Sequence, residues 1–74
     1  MASYTVFWRA EERRFRSFIA AERHARQCVR QLDDRGFSEA ATIMRGFWEV
    51  AQVRLAGDDR VWTDLKGEAP EGLL

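Results

Sequence analysis

Seventy-four residues, 46% of them hydrophobic and including three Trp and five Phe, are enough for one small core and too apolar for a disordered chain. Twelve basic and twelve acidic side chains cancel to a formal charge of zero, which excludes the strongly basic class of nucleic-acid binders. A single cysteine excludes a disulfide scaffold, and the longest apolar runs, such as Val6-Phe7-Trp8 and Phe18-Ile19-Ala20-Ala21, fall far short of the roughly 20 residues that span a bilayer.

In chain order, Ser3-Tyr4-Thr5-Val6-Phe7-Trp8 is aromatic and β-branched, which predicts a short strand with Tyr4, Val6 and Trp8 on one face. Ala10 to Arg16 carries a mixed signal: no Gly or Asn marks a tight turn, and Arg13-Arg14-Phe15-Arg16 suits helix or strand. From Phe18 the spacing is helical, because Phe18, Ala21, Ala25, Cys28, Val29 and Leu32 fall on one stripe roughly 100° wide. Arg14 would project into that stripe, so the helix is expected to begin after it. Gly36 supplies a left-handed stop, followed by the apolar Phe37.

Ser38 then reads as the cap of a second helix, with Glu39 at its positive end and Ala40, Ala41, Met44, Phe47, Trp48, Ala51 and Leu55 at helical spacing. The competing reading is a hairpin, Val50 to Leu55 turning through Ala56-Gly57-Asp58-Asp59 into Arg60 to Leu65, favoured by its valines but alternating poorly. Val61-Trp62-Thr63 could also pair with the N-terminal strand. The expected fold is mainly α, a helical hairpin with short flanking extended segments; the alternative is a small α+β fold with one helix on an antiparallel sheet. Residues 1–66 are taken as a single small domain and 67–74 as a flexible tail. A two-helix hairpin covers only one side of each apolar stripe, so a homodimer, joined through those stripes, is expected.

Chemistry-bearing motifs are sparse. The five Gly are scattered singly, unlike a phosphate-binding loop, and one His with one Cys cannot by themselves make a metal site. Cys28 on an apolar stripe reads as core, with His24 one turn away as the only available base. Asp33-Asp34-Arg35-Gly36 and its near-repeat Gly57-Asp58-Asp59-Arg60 read as turn residues. No cofactor or metal is expected.

Charge is unevenly placed: residues 1–37 hold eight Arg and five acids, residues 38–74 three Arg, one Lys and seven acids, so the halves carry +3 and −3. Arg16, Arg23, Arg26 and Arg30 form an arginine-rich helix face able to grip carboxylates or phosphates, and Trp48 and Trp62 are candidate aromatic anchors. Together these six residues form the expected partner-binding surface. The expected function is a non-enzymatic regulator or inhibitor that binds a larger protein or ribonucleoprotein complex. In size and style the chain is similar to the phage and mobile-element products that block host machinery, including anti-CRISPR proteins. The alternative is an accessory protein that binds nucleic acid through the arginine face. A cytoplasmic, non-membrane setting is the accompanying expectation, since no secretory pattern opens the chain.

Overall fold

A computed structural model describes residues 3–56 and 60–67. Its elements are β1 (Tyr4–Trp8), β2 (Glu11–Phe15), α1 (Phe18–Val29), β3 (Ala41–Arg45), β4 (Trp48–Leu55) and β5 (Val61–Leu65). The five strands form one antiparallel-paired sheet in the order β2-β1-β3-β4-β5. Because β2 and β3 both pair antiparallel to β1, they run parallel to each other, and parallel strands need a long crossover. α1 is that crossover, packed over the middle of the sheet.

The expected helical hairpin is therefore overturned in favour of one helix on an antiparallel sheet. The first helix forms as its stripe implies. Ser17 is extended at the N-cap and its hydroxyl accepts the Ala20 N–H at 3.1 Å. Ala21, Ala25, Cys28 and Val29 are buried. Leu32, placed on the same stripe, lies beyond the helix and is 54% exposed. Gly36 is left-handed (φ 84°), yet it closes a loop built on Asp33 rather than the helix, which ends at Arg30.

The second helix does not exist. Ser38 caps the first one, its hydroxyl donating to Val29 O at the helix C-terminus. Ala41–Arg45 and Trp48–Leu55 are strands joined by Gly46-Phe47. Gly46 has φ 63° and Phe47 does not share the left-handed region, the signature of a type II′ hairpin turn with Gly first. Val50 is an extra residue: Ile43 pairs with Ala51 while the next residue, Met44, pairs with Glu49. This bulge shifts the inward-facing positions, and with the turn it produces the near-helical spacing that Met44, Phe47, Trp48 and Ala51 show. β5 pairs with β4, not with the N-terminal strand.

At the other hairpin a two-residue turn, Arg9-Ala10, has no glycine, and Arg9 itself takes φ 54°. Three contacts hold it there: its guanidinium carbon lies 4.3 Å from the Trp8 ring centroid, Nη2 donates to Gln31 O at 3.3 Å, and Nε lies 4.0 Å from Glu39.

One core lies between helix and sheet, made of Val6, Trp8, Ala21, Ala25, Cys28, Val29, Ala41, Ile43, Ala51 and Val53. Alanines at 0% exposure on both the helix (Ala21, Ala25) and the central strands (Ala41, Ala51) let the two layers approach closely. Trp8 is pinned by its indole N–H, which donates to Glu39 O at 3.2 Å. Because the sheet covers the helix stripe, the route to a dimer through two apolar helices is closed. The proposed repeat at 57–59 and the tail at 68–74 lie outside the described residues.

Ile43 is the largest fully buried side chain, so Ile43→Ala should destabilise by roughly 2–5 kcal/mol. That approaches the whole net stability of about 3–5 kcal/mol typical at this size. Urea denaturation should show a collapse of the midpoint, whereas Phe47→Ala, at a turn position 95% exposed, should leave it within about 0.5 kcal/mol of the parent.

Candidate functional site

The six residues expected to form one surface are dispersed by the fold. Arg23 and Arg30 lie on the outward side of α1, and Arg16 precedes it, all three exposed. Among the described residues no ion pair holds them. Arg26 instead turns inward: Nη1 donates to Val61 O at 3.3 Å, Nη2 to Thr63 Oγ1 at 2.9 Å, and Glu22 lies 3.6 Å away. It ties the helix to β5. Trp48 pairs with Arg45 on the helix side of the sheet and its indole N–H donates to Gly67 O at 3.0 Å. Trp62 is 55% exposed on the opposite face.

Among the described residues no helix lies on that opposite face. The strand registers lay it out in rows: Glu12, Phe7, Thr42, Gln52 and Asp64 across all five strands; Arg14, Thr5, Met44 and Glu49 beside them; and Arg54 next to Trp62 where β4 and β5 run past β3. Phe7 and Trp62 are the exposed aromatics of the face, 41% and 55% accessible. Three strand spacings and one row put them roughly 16 Å apart. Trp62 borders a shallow cleft of about 350 Å³ lined by Arg54, Ala56, Trp62, Thr63 and Asp64. Asp64 Oδ2 is shared between Arg54 at 3.6 Å and Lys66 at 3.1 Å. The face thus carries Arg14, Arg54, Arg60 and Lys66 against Glu12, Glu49 and Asp64, a nearly balanced set.

No protein-family model matches the chain, and neither does a curated protein or a solved structure. Chemistry must come from the residues themselves.

Cys28 Sγ lies 3.4 Å from His24 Nε2, and the imidazole packs on Phe15 with centroids 5.1 Å apart. Burial, reinforced by the Glu11 charge and opposed by Arg13, pushes the Cys28 thiol up, away from the thiolate a nucleophile needs. The pair packs as core with a polar rim. Among the described residues no three His, Cys, Asp or Glu side chains gather as metal ligands, and no helix is long and apolar enough to cross a membrane.

Asp33, read from sequence as a turn residue, organises the loop after α1. Its Oδ1 accepts the N–H groups of Phe37 and Arg35, both at 2.9 Å, and Oδ2 lies 3.4 Å from the Arg35 guanidinium. The Phe37 amide bond, with smaller help from Arg35, holds its carboxyl below the ordinary carboxylate value.

What sequence reading missed was the open face. Its one local signal was the alternation of Thr5 and Phe7 against Tyr4, Val6 and Trp8 in the first strand. The rest depends on which strands lie beside it.

Two outcomes follow. Cys28→Ser should lower stability by roughly 1–3 kcal/mol, toward the lower end if His24 accepts the hydroxyl, and the native thiol should resist a bulky alkylating reagent. Asp33 has a depressed folded pKa, so its stabilising contribution is fully present above its unfolded value and disappears as pH falls through the lower folded value. The gap in urea midpoint between wild type and Asp33→Ala should be full above about pH 5 and should narrow as pH falls below the ordinary carboxylate range.

Proposed function

We propose that the protein is a non-enzymatic binding protein whose working surface is the open face of its sheet, and that it docks on the surface of a larger protein as a regulator or inhibitor. The carrying observation is Trp62, an exposed tryptophan beside a cleft on a face that the chain's own helix does not cover. Tryptophan in such a position supplies large rigid contact area at low entropic cost. Near-balanced charge on the face favours a protein partner over a polyanion, because three acids among four bases oppose the phosphate neutralisation on which nucleic-acid affinity rests. A cytoplasmic setting accords with the free buried thiol.

The arginine-face reading keeps one observation in its favour: Arg16, Arg23 and Arg30 are exposed and have no ion-pair partner among the described residues. They lie on the far side of the molecule from Trp62, so the two readings separate cleanly by mutation.

Affinity capture from a source-cell lysate, with and without nuclease, should retain a specific protein whose binding falls on the order of 30-fold in Trp62→Ala, with the melting temperature unchanged. Salt between 50 and 200 mM should change that binding by well under a factor of about 10³. Retention of nucleic acid alone, lost in Arg23→Ala or Arg30→Ala and indifferent to Trp62→Ala, would reverse the assignment.

A further inference from the structure

The two edges of the sheet are built differently. β2 is Glu11-Glu12-Arg13-Arg14-Phe15, four charges in five residues, the usual way an edge is kept from pairing with another chain. β5, Val61-Trp62-Thr63-Asp64-Leu65, has β-branched and aromatic residues instead, with Trp62 and Leu65 exposed on its opposite faces.

The ladder between β4 and β5 shows which backbone groups are free to pair. Ala56 N–H donates to Arg60 O and Lys66 N–H to Val50 O. Antiparallel alternation then turns Arg60, Trp62, Asp64 and Lys66 toward β4, and Val61, Thr63 and Leu65 outward. Arg26 confirms the direction, since its guanidinium meets Val61 O from outside the sheet. Among the described residues nothing else hydrogen-bonds that edge.

We propose that β5 pairs antiparallel with β5 of a second copy about a two-fold axis at Trp62, and that Arg26 competes for the same edge. Register favours this arrangement over its neighbours toward the end of the strand. Centred on Trp62, the pairing sets Trp62 against its own equivalent, Val61 against Thr63, and Arg60 against Asp64, all opposite in character or self-complementary. Centred on Thr63 it would oppose Arg60 and Lys66, and centred on Asp64 it would oppose two carboxylates. A one-residue slip on one strand would put outward groups against inward ones and break the ladder. In the selected register Val61 and Thr63 exchange their outward N–H and C=O groups with the second copy, and the tryptophan pair stands at a non-hydrogen-bonded site, where side chains are closest. The two sheets become one of ten strands, with both Trp62 side chains at the centre of a continuous open face. Dimerisation stands apart from the proposed protein partner: Arg26 lies on the helix side and does not line the cleft at Trp62, so the Arg26→Ala variant below shifts the dimer and leaves partner binding as it is.

So small an interface makes a weak dimer, populated on the order of 100 µM. Sedimentation velocity of the full chain over about 5–500 µM should show wild type passing from monomer to dimer. Thr63→Pro removes an outward N–H without touching the β4 ladder, and it should be monomeric throughout. Trp62→Lys, which puts two cations together on the axis at an exposed position, should be monomeric too and decides the matter if the proline variant does not fold. Arg26→Ala should dimerise about threefold to tenfold more tightly, because Val61 O loses its competing donor. Under mild oxidation Trp62→Cys should cross-link much faster than Asp64→Cys, since facing Cβ atoms of such a pair suit a disulfide. A wild type monomeric to 500 µM, a dimer that survives in both Thr63→Pro and Trp62→Lys, or equal cross-linking of the two cysteine variants would overturn the pairing.

Discussion

The whole structure depends on one contact layer: the narrow stripe of Ala21, Ala25, Cys28 and Val29 pressed onto Val6, Ile43, Ala51 and Val53 of the central strands. A chain of this size has one core to spend its apolar residues on, and here it is a single interface between one helix and one face of a sheet. Small residues on both sides bring the layers close enough for dispersion contacts to accumulate. The crossover geometry follows from the same layer, because the helix that joins the parallel pair β2 and β3 can bury its stripe only by lying across β1.

One-sided burial has a direct functional consequence. A sheet covered on one face presents the other to solvent, and alternation then sorts side chains without further design: Tyr4, Val6 and Trp8 go inward while Thr5 and Phe7 go outward. Across five strands this assembles Phe7, Met44 and Trp62 among nearly balanced charges, residues far apart in sequence that share a surface only because of strand order. Arg26 is diverted in the same way. Its place on the helix, at the side facing β5, makes it a fastener and an edge guard rather than a member of an arginine face.

Irregularities in the backbone are tied to named contacts. Arg9 occupies a turn position that glycine or asparagine would fill more easily, held by Trp8, Gln31 and Glu39, so the β1 hairpin and the loop before β3 support each other. Val50 is the bulged residue of β4, and it lets Trp48 stay on the helix side while Ala51 and Val53 enter the core.

From sequence alone came the first strand with its inward face, the helix from Phe18 with its buried cysteine, and the turn character of Asp33. Each rests on local periodicity or local hydrogen bonding, and such signals survive whatever the rest of the chain does. Of the two central strands, the fourth was legible only as the competing hairpin of Val50 to Leu55 with Arg60 to Leu65, whose strand pairing the structure bears out, and the third not at all: a glycine-first turn and a bulge rearranged their apolar positions into a spacing close to 3.6, and an alanine-rich composition adds helix propensity to that disguise. The second strand was masked by a turn whose left-handed residue is an arginine. Only tertiary structure decided those cases, because the free energy that holds Ala41 to Leu55 in a sheet comes from pairing with β1 and β5 and from burial under the helix, contacts between residues that sequence proximity does not connect.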